Sequence, residues 1–275
     1  MQNPPTSGVN LSLAGRVALI TGGSRGIGAA TVRLFRQAGA RVAFSYQSAR
    51  EKAEALAIEL GGPDFCVALQ QDLATPADGR ALVAAATAAF GRLDCLIVNH
   101  GVWPAHDQPI ATMTDAQWRS TLSINLDSVF GLVQAATAQI LSQPAPPAGA
   151  KGHIVSARGH IVLVASTAAQ RGEAFHADYA ASKGALLSFT KSLSSELAPQ
   201  GISANCVAPG WVATEMSAAA LQDPATSRKV MSLIPLGRAA HTDEIAGPIL
   251  FLCTPYAGFV SGEIFNVNGG AVLVG

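Results

Sequence analysis

The sequence predicts an α/β protein: a doubly wound parallel sheet of about seven strands with helices on both faces. Three observations carry that expectation. Short β-branched, apolar runs alternate with longer helical patterns from Arg16 to the C-terminus. The runs are apolar throughout rather than alternating, as strands buried on both faces must be. The first run ends in a glycine turn, Gly22-Gly23-Ser24-Arg25-Gly26-Ile27-Gly28, which opens directly into a helix.

The bulk properties agree. At 275 residues, with 49% hydrophobic and 13% charged, the chain can bury a large core, and residues 13–275 read as a single domain behind a loose tail over 1–12. The formal net charge is zero and Lys and Arg form no block, which argues against nucleic acid or an anionic membrane surface as partner. No apolar run approaches the ~20 residues of a membrane span, and the N-terminus lacks the basic and apolar regions of a secretion signal. Cys66, Cys95, Cys206 and Cys253 lie far apart inside apolar stretches. They have neither metal-ligand nor disulfide spacing, so they read as reduced core residues of a cytoplasmic protein, and no metal site is expected.

The first strand, Arg16 to Thr21, runs into the glycine turn and a helix reaching about Ala38. Backbone N–H groups at a helix N-terminus make an anion site there. The spacing is G-x-x-x-G-x-G rather than the commoner G-x-G-x-x-G. Arg41 to Tyr46 is the second strand, and an adenine ribose bound to such a sheet would lie at its carboxyl end. That end reads Ser45-Tyr46-Gln47-Ser48, without a carboxylate, while Arg25 and Arg50 are near in sequence. A guanidinium without a competing carboxylate favours a 2′-phosphate, hence NADP(H) over NAD(H). Arg25 otherwise reads as a surface cation.

A helix over Glu51 to Leu60 precedes the third strand, Phe65 to Leu69. Asp72, with Leu73 after it, would bond an adenine amino group or cap the helix that opens near Thr75-Pro76. That helix runs to Phe90, strand four is Cys95 to Val98, and Asn99-His100-Gly101 is the turn beyond it. A helix opens at Thr114-Asp115, and a longer apolar one spans about Asn125 to Leu141 with Asn125 as the polar exception at its entrance. Residues 143–158 form a Pro-rich insert with a small duplication, Gly152-His153-Ile154-Val155 and Gly159-His160-Ile161-Val162, of which only the second copy runs into the fifth strand, ending at Ser166.

Tyr179 and Lys183 then stand four apart in a run of good helix formers, which places them on one helix face. An ammonium beside a phenol is expected to lower the phenol's pKa from about 10 toward working pH. Alone, the pair equally fits a solvated helix face. The helix continues to about Leu197, the sixth strand is Ile202 to Ala208, and Pro209-Gly210-Trp211-Val212-Ala213-Thr214 follows. Residues 213–236 contain a pair of short helices that would lie as a lid over the sheet's carboxyl edge. Thr242 opens a helix to about Cys253, and Gly262 to Val267 is the last strand.

Taken together, T-G-x-x-x-G-I-G at Thr21 to Gly28, Asp72, the N-x-G turn at Asn99 and Gly101, Asn125, Ser166, Y-x-x-x-K at Tyr179 and Lys183, and P-G followed by Thr214 resemble the short-chain dehydrogenase/reductase family in its single-domain branch. The resemblance spans about Leu13 to the C-terminus and implies a Rossmann-type fold. It implies that Tyr179 exchanges a proton with a carbonyl or alcohol oxygen, that Lys183 lowers its pKa and bonds the nicotinamide ribose, that Ser166 holds the substrate oxygen, and that Asn125 holds a relay water. Gly22, Ser24, Arg25, Gly26, Ile27 and Gly28 would take the pyrophosphate. Pro209, Gly210, Val212 and Thr214 would cover the carboxamide.

Three departures stand out. His100 replaces a small residue in the family's turn and would face the cofactor or substrate mouth, or sit as a tolerated loop side chain. The insert is unusual. Glu173, Phe175 and His176 lie where substrate should approach, Phe175 forming an apolar wall or standing exposed. The resemblance implies an NADP(H)-dependent reductase of a small-molecule ketone or β-keto group, assembled as a homotetramer or homodimer. The alternatives are a 3-oxoacyl-[acyl-carrier-protein] reductase specifically, a sugar or polyol dehydrogenase, or a non-catalytic cofactor-binding regulator. Glu196 to Gly201, ending the Tyr179 helix, offers no Arg to an acidic carrier.

Overall fold

A computed structural model of the chain describes residues 11–144 and 157–274. Most of the insert, its first G-H-I-V copy at Gly152 to Val155 and the first ten residues of the tail lie outside them.

Seven strands pair in parallel in the order β3-β2-β1-β4-β5-β6-β7. They are β1 Val17–Ile20, β2 Arg41–Tyr46, β3 Cys66–Gln70, β4 Cys95–Val98, β5 Gly159–Val164, β6 Ile202–Pro209 and β7 Ile264–Val267. Successive strand residues face opposite sides, so β1 sends Ala18 and Ile20 to one core and Val17 and Leu19 to the other. Helices α1 (Gly26–Gln37), α2 (Arg50–Glu59) and, late in the chain, a helix over Thr242–Leu252 cover the first core through Val32, Phe35, Ile245 and Ile249.

The other face carries α3 (Pro76–Phe90), α4 (Asp115–Leu122) running into α5 (Ser128–Ser142), then α6 (Ala168–Arg171) and α7 (Ala177–Leu197). Their Leu82, Leu132, Leu186 and Leu193 fill the second core. α3 and α5 touch backbone to backbone, because a Cβ on Gly131 would fall 2.0 Å from the Pro76 carbonyl oxygen. The short helices α8 (Ala218–Gln222) and α9 (Pro224–Ser232) precede α10, the Thr242–Leu252 helix.

Three local expectations change. The apolar helix does not begin at Asn125: α4 runs into α5 through a π-helical turn, Ser123–Asp127, and Asn125 sits within it. Asp72 does not cap α3. Thr75 does, in a reciprocal box with Asp78 and with Pro76 in the first turn, while Asp72 accepts from Gln47 Nε2 at 2.9 Å. The second G-H-I-V copy, from Gly159, forms the start of β5. All four cysteines are buried free thiols, and burial pushes Cys66 up to about 11 and Cys206 to about 12. Strand order reverses between β1 and β4, which opens a crevice at the carboxyl ends of the strands.

Candidate active site

The crevice begins at the glycine turn. Gly22 and Gly26 have φ of +64° and +54°, a region costly for any residue with a Cβ. α1 has neither a side-chain cap nor an acidic residue in its first turn, so its leading N–H groups are available to an anion. Gly22, Ser24, Arg25, Gly26 and Ile27 line the cleft. Gly28 does not. A Cβ there would lie 2.0 Å from the Gly22 carbonyl oxygen and 2.7 Å from Asn99 Nδ2, so its bareness lets α1 approach the turn from behind.

Beside the turn, Tyr46, Gln47 and Ser48 form the wall at the end of β2, and Ser45 Oγ accepts from Gly22 N at 3.1 Å. Asp72 and Leu73 close that end. The two arginines part here. Arg25 lines the cleft, whereas Arg50 turns away to Glu54 at 3.3 Å and Gln70 at 2.6 Å. A dinucleotide fits this chemistry: open backbone donors, a cation and hydroxyls, with Asp72 the carboxylate at the far wall.

At the switch point, Asn99 donates through Nδ2 to the Thr21 and Gly22 carbonyls at 3.1 and 3.3 Å. His100 is not a loose loop side chain. It lines the cleft, with Nδ1 2.8 Å from Thr21 Oγ1 and Nε2 2.8 Å from Ser128 Oγ. Burial, with Lys183 nearby, lowers its pKa to about 3. At Gly101 a Cβ would meet Asn125 Oδ1 and Lys183 Nζ at 3.1 Å each, so a side chain there would push these groups back from the turn.

Asn125 is fully buried behind that turn, outside the cleft wall. Its Oδ1 accepts from Val102 N at 2.8 Å, and Nδ2 donates to the Val102 carbonyl and Ser182 Oγ at 3.0 Å each. Ser166 lies two residues beyond β5, which ends at Val164 rather than at Ser166, while Tyr179 and Lys183 come from α7, and all three line the cleft. Lys183 is 5% exposed and donates to the Val164 carbonyl at 2.9 Å. Burial lowers its pKa to about 8. The phenol shifts opposite to expectation. Burial pushes Tyr179 up to about 12, the neighbouring Ser166 hydroxyl pulls it down, and the Glu173 charge pushes it up. Desolvation of the phenolate outweighs any pull from the helix partner.

Three loops build the mouth. Trp103, just beyond Gly101, stacks on His176 with centroids 4.7 Å apart and meets Trp211 edge-on at 6.4 Å. The Trp103 indole N–H donates to Glu173 Oε1 at 3.3 Å. His176, 3% exposed, donates through Nε2 to the Pro104 carbonyl at 2.9 Å. Phe175 forms no wall of the cleft: it is 51% exposed, with φ of +66°. Trp103 was missed in the sequence, and Trp211 was given no part in the mouth, although the one lies two residues past Gly101 and the other directly follows Pro209-Gly210. Among the described residues, no group of three or more His, Cys, Asp or Glu could hold a metal ion, and no helix is long and apolar enough to cross a membrane.

Comparison with known proteins adds relatives. A family model described as enoyl-(acyl carrier protein) reductase matches residues 22–272. The chain is 33% identical over 264 residues to a Vibrio cholerae 3-oxoacyl-[acyl-carrier-protein] reductase, covering 96% of this chain and 100% of that one. A short-chain dehydrogenase/reductase from Brucella melitensis, titled glucose/ribitol dehydrogenase, superposes with a TM-score of 0.84 at 35% identity, over 97% of this chain and 100% of that one. A blue fluorescent protein from a metagenomic library, in complex with NADPH, gives 0.82 at 35% identity, over 96% and 100%.

Proposed function

The chain belongs to the short-chain dehydrogenase/reductase family of oxidoreductases, and from that premise we propose that it reduces a ketone or β-keto carbonyl to a secondary alcohol with NADP(H), Tyr179 serving as general acid. The observation that carries this reading is that Ser166, Tyr179 and Lys183 line the same cleft as the glycine turn. The nicotinamide, when bound, supplies the hydride.

The chain's residues do the rest. The turn Gly22 to Ile27 and the α1 N-terminus hold the pyrophosphate. Arg25, with Tyr46, Gln47 and Ser48, holds the 2′-phosphate, and the NADPH-bound relative supports that preference. Asp72 and Leu73 flank the adenine. Asn99, Gly101, Pro209, Gly210, Val212 and Thr214 surround the nicotinamide half. Ser166 donates to the carbonyl oxygen and so favours the negative charge that develops there. Tyr179 then gives that oxygen its proton. A phenol pushed up to about 12 stays protonated at neutral pH, as an acid must. Lys183, four residues on along α7 and lining the same cleft, supplies the positive charge that favours the phenolate it leaves. Asn125 acts from behind the wall. With both Nδ2 hydrogens committed, only its Oδ1 has capacity left to hold a relay water for Lys183.

The matching family model is named for reduction of a C=C bond; the hydroxyl of Ser166 beside Tyr179 favours a carbonyl instead. Residues 213–236 serve as the lid, with Glu215, Met216 and Ser217 on the cleft. Exposed Phe130 on α5 and Leu273 beyond β7 support assembly into a tetramer or dimer, which light scattering would resolve. The decisive experiment is oxidation of NADPH and of NADH against a panel of ketones, β-keto thioesters and ketoses. Turnover with NADPH is expected. Turnover of no carbonyl, or a strong NADH preference, would overturn the activity or the cofactor assignment respectively.

A further inference from the structure

Glu173 is a carboxylate at a substrate mouth that the proton chemistry does not use. Among the described residues its one hydrogen-bond partner is the Trp103 indole N–H, and at 3.3 Å that bond is long. A carboxylate has about four lone-pair sites, so most of its accepting capacity is unspent and faces the cleft. The group is held there deliberately. His176 N bonds the Glu173 carbonyl at 3.2 Å, Gln108 N bonds the Phe175 carbonyl at 3.0 Å, and Phe175 between them takes a left-handed φ that a bulky residue keeps only under constraint. His176 backs Trp103 as a stacked plate, and Trp211 meets Trp103 edge-on from the loop after β6. The mouth therefore presents two indoles and one fixed acceptor within reach of Tyr179, whose phenol responds to the Glu173 charge.

Resting on the carbonyl-reductase reading above, we propose that Trp103, Trp211 and Glu173 form a subsite for a neutral polyhydroxylated substrate, a ketose or its polyol, in which Glu173 accepts hydrogen bonds from hydroxyls beside the reacting carbon. The chemistry selects this class. A carboxylate rewards O–H donors, and indole faces pack against the C–H faces of a sugar chain. The acyl chain and thioester group of a β-keto thioester offer Glu173 no donor beside the reacting carbon. Burial raises the pKa of Glu173, with His176 and Arg171 drawing it back down, as befits a carboxylate awaiting donors. A site built for hydroxyls rejects an analogue lacking them, because its polar group is left unpaired.

Butanone and erythrulose share a carbon skeleton and differ in hydroxyls, so they isolate the effect. In NADPH-dependent reduction, Glu173→Gln is expected to lower the erythrulose-to-butanone ratio of kcat/KM by roughly ten- to a hundred-fold, mainly through KM for erythrulose. Trp103→Phe, which removes only the indole donor and some area, should shift the ratio in the same direction by less. A second readout avoids turnover: erythritol titrated into Tyr179→Phe protein with NADP⁺ should change tryptophan fluorescence, and the change should weaken when Glu173→Gln is added. A ratio that moves less than about twofold in both variants, or fluorescence blind to erythritol, would overturn the subsite. Wild-type turnover of a β-keto thioester with none of erythrulose would overturn it too, while leaving the reductase reading intact. No turnover of any carbonyl would remove that reading and this inference together.

Discussion

His100 Nε2 lies 2.8 Å from Ser128 Oγ, and the hydrogen-bond directions around the pair are determined. Thr21 Oγ1 already accepts from Asn99 N at 3.0 Å and His100 N at 3.1 Å, so its own hydrogen goes to His100 Nδ1 at 2.8 Å. Nε2 then carries the ring proton and donates it to Ser128, whose hydroxyl donates to the Ile124 carbonyl at 2.8 Å. One neutral imidazole thus ties β1 to the π-helical turn that holds Asn125.

Replacing His100 by Ala leaves Thr21 only the long contact to the Ile97 carbonyl at 3.5 Å and Ser128 without its donor. The expected loss is about 1–3 kcal/mol. In a chain of this size that is a fall in Tm of roughly 3–8 °C. The depressed pKa of about 3 adds a second check: the ring should stay neutral by nitrogen NMR down to pH 5, with Nδ1 unprotonated. A protonated ring at pH 6 would contradict the assigned directions.

In the proposed NADP(H) reading Arg25 is the guanidinium left to hold the 2′-phosphate, since Arg50 is engaged with Glu54 and Gln70. Arg25→Ala should raise KM for NADPH by about ten-fold or more, the loss of a charge-assisted contact, and change KM for NADH by less than about twofold. Equal effects on both cofactors would assign Arg25 to the pyrophosphate instead.

The strands and most helices were legible because buried parallel strands and amphipathic helices write their periods directly into the sequence. The π-helical turn was not, because Ser123 to Asp127 interrupts hydrogen bonding without interrupting the helical pattern. The cleft residues were reached through turn motifs, a strand end and the i,i+4 spacing of Tyr179 and Lys183. Gly28, from the glycine turn, and Asn125, from a helix entrance, stand behind the wall, where close packing and backbone contacts occupy them. The Tyr179 shift was read with the wrong sign, since spacing reveals a neighbouring cation but not the desolvation around the phenol. The mouth needed three loops brought together, and no spacing within one segment encodes Trp103 against His176.

Tyr179→Phe removes the proposed acid and little else. Turnover should fall by about a hundred- to ten-thousand-fold while the Kd for NADPH, followed by fluorescence, changes little. Retained turnover would transfer the proton-donating role to another group, with Ser166 next to it.

Lys183 is expected to trade stability for activity. Its pKa falls from 10.5 to about 8 because the ammonium is buried, with one acceptor among the described residues, the Val164 carbonyl. Below pH 8 folded and unfolded states both carry the proton, and the folded state bears a penalty on the order of 3 kcal/mol. Between about 8 and 10.5 only the unfolded state binds it, so this lysine's contribution to stability improves as pH rises. Lys183→Met keeps the volume and removes the charge, at a cost of about 1 kcal/mol for the orphaned carbonyl. The variant should be nearly inactive yet melt several degrees above wild type at pH 7, with the gap narrowing above pH 8. Comparing the two proteins at each pH cancels the buried thiols, which titrate in both. A variant that melts at or below wild type, with a gap indifferent to pH, would show that the protein stabilises this ammonium rather than straining it.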